Sequence, residues 1–109
     1  MASNKDCCTE LQHMILQMVV NQIKQWDRSM CANWSPNGLD ATLKSNSRVI
    51  RLKTKVDNVT QDIFVTAEVG PNCNNMRALD TRWNIWSTTG AQDPLVDIHN
   101  MADHILKQI

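Results

Sequence analysis

Between residues 28 and 48 the spacing of apolar side chains changes from a period of about 3.6 to a period of 2, so a helix must give way to strands. Leu11, Ile15, Met18, Val19, Gln22 and Trp26 recur at three and four residues, and Met14 and Ile23 widen the stripe. That spacing predicts a long helix from about Asp6 to about Arg28. Thr9 with Gln12 matches a capping box, with Ser3 and Asp6 as a rival start. From Arg48 to Val56 the pattern alternates. Ile50, Leu52, Thr54 and Val56 fall on one side, Arg51, Lys53 and Lys55 on the other, and Val49 is the exception. This is a half-buried antiparallel strand, apolar inward and basic outward. Ile63, Val65, Ala67 and Val69 make the inner side of a second strand, which Gly70-Pro71 ends.

The remaining segments are read from their turn chemistry. Ser35-Pro36-Asn37-Gly38 is a turn, with glycine supplying a positive φ. Leu39 to Leu43 is too short to decide between a helical turn and a strand stub. Asp57 to Gln61 joins the two strands as a hairpin, but it lacks Gly, so its turn type stays open. Pro71 to about Asp80 is a polar, Asn-rich loop. A third strand is expected from about Thr81 to Thr88, with Trp83, Ile85, Trp86 and Thr88. The last helix starts with Asp93 as N-cap, Pro94 and Asp97. Its apolar face is Leu95, Ile98, Met101, Ala102, Ile105, Leu106 and Ile109, and Lys107 suits its C-terminal end.

The expected fold is therefore α+β, one domain over residues 1–109. It is a two-layer sandwich of a long N-terminal helix, an antiparallel meander of three or four strands, and a C-terminal helix. No helix crosses between strands, so nothing asks for a parallel sheet. Both helices are expected on the inner face of the meander; the alternative is that each covers a different face, against which the basic outer side of the first strand argues. The element order is similar to that of double-stranded-RNA-binding domains and of signal-recognition-particle Alu-binding subunits. The resemblance is one of order only. The last helix opens on Asp93 and Asp97, acidic where those RNA binders present a basic start.

Several function classes find no support in the residues. Hydrophobic residues make up 42% and charged residues 20%, which suits a globular chain and excludes a wholly disordered one. No window approaches the roughly 18 apolar residues of a membrane span, and the first residues lack a signal-peptide core. A cytoplasmic protein without membrane partners is expected, in which the sequons at Asn33 and Asn58 are chance matches. Cys7, Cys8, Cys31 and Cys73 are then reduced thiols, and none of their spacings suits zinc. His99 and His104, five apart, are not placed to clamp a metal together. Gly38, Gly70 and Gly90 are scattered and form no phosphate loop. Glu68 and Asp62 would lie about 20 Å apart on one strand, too far for a carboxylate pair. A Cys–His nucleophilic pair has no support in the residues. Neither an enzyme nor a cofactor is expected.

Two features point to binding. Trp supplies four residues and Met six, against one Phe and no Tyr, which is more than a thin two-layer body easily shelters. Trp26, Met30 and Trp34 lie near the end of the first helix. Trp83 and Trp86, three apart on a strand, are expected on opposite faces, one in the core and one outside. These side chains suit a protein surface, first for a second copy of the chain. The expected function is a non-enzymatic protein-binding module acting by surface occupation and homodimeric, such as a small inhibitor or a virus- or phage-type accessory protein. The alternative is nucleic-acid binding through Lys44, Arg48, Arg51, Lys53 and Lys55, since residues 44–56 hold five bases and no acid. Arg51, Lys53 and Lys55 would form a ridge spaced at about 6.5 to 7 Å. A solvated face or a lysine-guarded edge explains the same ridge, and the pI near 6.8 lacks the excess of base usual in nucleic-acid binders.

Overall fold

Alternation through the middle of the chain builds an antiparallel sheet with one apolar face, and both helices lie on that face. The computed structural model describes residues 4–80, 82–86 and 94–108, with side chains described at 9–80, 82–85 and 95–108. Along the chain the elements are α1 (Asn4–Trp26), β1 (Cys31–Trp34), β2 (Asp40–Lys44), β3 (Val49–Val56), β4 (Ile63–Gly70), β5 (Arg77–Ala78), β6 (Trp83–Trp86) and α2 (Pro94–Leu106). The described sheet holds six strands, more than the three or four of the expected meander. Its order is β1-β2-β3-β4. On the far edge of β4, β5 pairs with Glu68 and Val69 while β6 pairs with Ile63 to Val65.

The additional strands are short, and local turns set them. Gly38, at φ 74°, closes the Ser35–Gly38 turn, and its amide donates to the Ser35 carbonyl at 3.0 Å. A Cβ there would approach His13 Nδ1 to 2.6 Å, so the turn needs glycine for space as well as for φ. Asp27, Asp57 and Asn72 each accept amide hydrogen bonds two residues ahead, the chemistry expected of Asx turns. In the β3–β4 connection, Gln61 occupies the left-handed position at φ 63°, and its amide donates to the Asp57 carbonyl. The turn type left open by the missing glycine is thus one helical turn closed by Gln61.

Inner positions Ala41, Leu43, Ile50, Leu52, Ile63, Val65, Ala67, Val69 and Ile85 are buried against both helices. α1 packs on β2 and β3, α2 packs on β6, and the helices pack on each other. The buried line of α1 runs through Gln12, Ile15, Leu16, Val19, Val20 and Ile23. The expected stripe is therefore rotated, because Met14, Met18 and Trp26 are 57, 38 and 42% exposed. Branched aliphatic side chains take the interior, and the adaptable Met and amphipathic Trp take the margin. The capping-box reading of Gln12 also gives way. The helix is already formed at Asn4, and Gln12 lies inside it, where Nε2 donates to Thr54 Oγ1 at 3.3 Å. Thr54 donates in turn to the Leu39 carbonyl, so the polar pair between helix and sheet is satisfied. Leu95 is exposed rather than on the buried face of α2. Asp93, Thr88 and Ile109 lie outside the described residues.

The C-terminal ends of both helices converge on Arg48. Its Nε and Nη2 donate to Asp27 Oδ2 at 3.2 and 2.7 Å, just past α1, and Nη1 donates to the Leu106 carbonyl at 3.1 Å, at the end of α2. A guanidinium is well suited here: it faces two negative dipole ends and matches both acceptors with a rigid fork. Arg48→Met should lower stability by about 1 to 3 kcal/mol in urea titration. The Ser29 hydroxyl, and then Arg48, hold the Asp27 carboxyl below its ordinary value. Stability from a lowered carboxyl is complete above its unfolded value and is lost as pH falls through the folded one. The stability gap between the protein and Asp27→Asn should therefore narrow below about pH 4. A gap that stays constant through that range contradicts the role given to Asp27.

Candidate functional site

On the helical side, each histidine packs against a different tryptophan. His13 of α1 meets Trp34 of β1 with ring centroids 5.2 Å apart, and its Nδ1 donates to the Gly38 carbonyl at 2.9 Å. Trp26 of α1 meets His99 of α2 edge-on at 4.7 Å, and Trp83 of β6 meets His104 of α2 at 5.5 Å. These ring pairs join α1 to the sheet edge, α1 to α2, and α2 to β6. They also explain why His99 and His104 do not act together: one faces α1, the other β6.

The binding residues expected from the sequence divide by burial. Trp26 and Trp34 remain 42 and 37% exposed, while Trp83 is half-buried against the core. Met30 is 3% exposed and belongs to the core, so it offers no surface to a partner. The side chain of Trp86 lies outside the described residues. Its backbone pairs with Ile63 and that of Trp83 with Val65, positions on the same side of β4. A bulge between Asn84 and Trp86 interrupts the ladder at that point. Met14, Met18 and Leu95, which periodicity alone assigns to buried stripes, join Val96 as exposed apolar side chains of the two helices. Beside Trp26, a shallow depression is lined by Asn21, Lys24, Gln25 and Arg28.

The opposite face of the sheet is polar, and among the described residues no helix covers it. One row runs Asn33, Thr42, Arg51, Glu68, Ala78 across five strands. In it Arg51 Nη1 lies 3.5 Å from Glu68 Oε2. The next row sets Lys53 between Asp40 and Thr66, and the third sets Phe64 between Lys55 and Asn84. The Arg82 guanidinium carbon lies 4.5 Å from the centre of the Phe64 ring. Lys44, Lys53 and Lys55 are exposed on this face. Arg48 is not part of it, being tied to Asp27 and Leu106. Sequence reasoning missed Phe64 and Arg82, although the alternation that turns Ile63 and Val65 inward turns Phe64 outward.

Among the described residues no cluster of three His, Cys, Asp or Glu is placed to hold a metal ion. Cys31 and Cys73 are exposed free thiols, and the side chains of Cys7 and Cys8 lie outside the described set. No described helix is long and apolar enough to cross a membrane. No family model, curated protein or solved structure matches the chain.

Burial separates Met30 from the surface methionines in a way that denaturation can read. Met30→Ala should cost about 2 to 5 kcal/mol as a core truncation, whereas Met14→Ala should change stability by less than about 0.5 kcal/mol. Equal and small effects at both sites would return Met30 to the surface.

Proposed function

We propose that this chain is a non-enzymatic binding protein that works by covering a partner's surface with its helical layer, and that its first partner is a second copy of itself. The carrying observation is the distribution of large exposed apolar side chains. Met14, Met18, Trp26, Leu95 and Val96 lie on the two helices and Trp34 flanks α1 at the sheet edge, with Val59 in the β3–β4 connection as the exception. Single exposed apolar residues are ordinary on any surface; their gathering on one layer favours contact. The formal net charge of zero supports self-association, because two copies meet without long-range repulsion. A two-fold pairing through α1 and α2 would bury the same side chains on both copies. Such a device suits a small inhibitor or a virus- or phage-type accessory protein, and the exposed thiols of Cys31 and Cys73 suit a reducing cytoplasm.

A second reading has its own observation. The uncovered sheet face carries Lys44, Arg51, Lys53 and Lys55 against Asp40 and Glu68, which favours an anionic partner such as nucleic acid. The two surfaces lie on opposite sides of the molecule, so occupancy of one leaves the other open.

Sedimentation velocity across the micromolar range tests the first reading. The protein should shift from monomer to dimer with concentration, and Met18→Lys combined with Val96→Lys should keep it monomeric without loss of fold. A native chain that stays monomeric throughout the range contradicts the reading.

A further inference from the structure

We propose that the uncovered face of the sheet binds single-stranded nucleic acid, with Phe64 and Arg82 as the stacking platform for a base and Lys44, Lys53 and Lys55 as the track for its phosphates. This inference rests on the nucleic-acid reading of the basic strand and specifies its ligand.

The placement of Phe64 is the first ground. It is the only Phe in the chain, and it stands on the outer face while its neighbours Ile63 and Val65 fill the core. A phenyl ring on a polar sheet face, in the row beside the β3–β4 connection, contributes little to the interior. Arg82 is exposed and holds its guanidinium over the ring at 4.5 Å. The pair therefore presents a flat cation already ordered by an aromatic ring, and bases stack on such guanidinium planes as readily as on aromatic ones.

Charge is the second ground. Lys55 is the cross-strand partner of Phe64, and Lys53 lies one row away on the same face. Successive outward lysines on one strand are about 6.5 to 7 Å apart, a step comparable to that between phosphates of an extended strand. Lys44, Lys53 and Lys55 form no ion pair among the described residues. Of the acids on and beside this face, Glu68 and Asp57 are matched, whereas among the described residues Asp40 forms no ion pair and the buried Oδ1 of Asp62, two residues before Phe64, has no hydrogen-bond partner. Glu68 pairs with Arg51, and Asp40 stands opposite Lys53. Asp57, beyond the strand end, accepts from the Val59 and Thr60 amides, and Arg82 adds an attractive charge.

Stacking decides between single and double strands. Bases in a duplex are stacked on one another and offer only their edges to a protein, so a ring platform has no duplex face to use. An unpaired base can lie flat on the Arg82–Phe64 pair while its flanking phosphates follow the lysines. An acidic protein segment would satisfy the lysines but leave the platform empty.

Fluorescence anisotropy with a labelled oligothymidylate, its duplex counterpart and a polyglutamate peptide tests the proposal at low and moderate salt. The oligothymidylate should bind more tightly than either competitor. Phe64→Leu and Arg82→Gln should each weaken it by about fivefold to a hundredfold without changing the salt slope, and Phe64→Tyr should retain binding. Lys53→Gln with Lys55→Gln should reduce the magnitude of the salt slope by about 1.4. Salt-dependent binding that ignores Phe64 and Arg82, or that takes duplex equally well, overturns the stacking platform and leaves the broader nucleic-acid reading standing. Equal binding of polyglutamate overturns the choice of nucleic acid. No binding of any oligonucleotide at low salt overturns both readings. Phe64 and Arg82 are not core residues, so circular dichroism of the variants should match the native protein.

Discussion

One-sided burial of the sheet is the constraint from which the rest follows. In β2, β3 and β4 every inward position holds an aliphatic side chain or a satisfied Thr54, while the outward positions, Val49 and Gly70 apart, hold charge, hydroxyls and Phe64. Covering that apolar face removes it from water at roughly 25 cal/mol per Å², whereas covering the other face would strip lysines of solvent. Both helices are therefore drawn to one side. They must share it, and the Arg48 fork joins their ends where each needs a cation.

Sharing one face has a consequence for the surface. Two helices side by side on a small sheet cannot each bury a full apolar half-circumference. Their best-packing branched residues go inward, and Met14, Met18, Trp26, Leu95 and Val96 are left at the outside. The histidines reduce part of that exposure by lying against three of the four indoles. The same geometry that leaves apolar side chains on the outside of the helical layer leaves the other layer wet, basic and accessible. A molecule with two unlike faces can hold a protein on one and an anion on the other.

Much of this arrangement is legible in the amino-acid order, where periodicity runs long enough. α1, β3, β4 and α2 each span eight residues or more; spacing alone gives the inner positions of β3 and β4, whereas it misplaces the buried line of α1 and adds the exposed Leu95 to that of α2. β1, β2 and β5 span only two to five residues, too few for alternation to register, and they exist because turns and neighbouring strands hold them. Thr54 was readable as inward, but not its partner Gln12, forty-two positions away. Arg48 resembles its neighbours Arg51 and Lys53 in sequence. Only the meeting of two helix ends shows that it is structural. Met30 follows a helix in a segment without periodicity, so its burial had no local signal. Phe64 did have one, the plain alternation of β4, whereas Arg82 became its partner only through the pairing of β6 with β4.

Hydroxyl-radical footprinting of the native chain, read by mass spectrometry from low to high micromolar concentration, probes the division into two unlike faces most directly. Rising concentration should protect Met14, Met18, Trp26 and Leu95 together, while Phe64 on the opposite layer keeps its reactivity. Protection that appears on Phe64 first, or labelling that is the same at every concentration, would contradict the adhesive role of the helical layer.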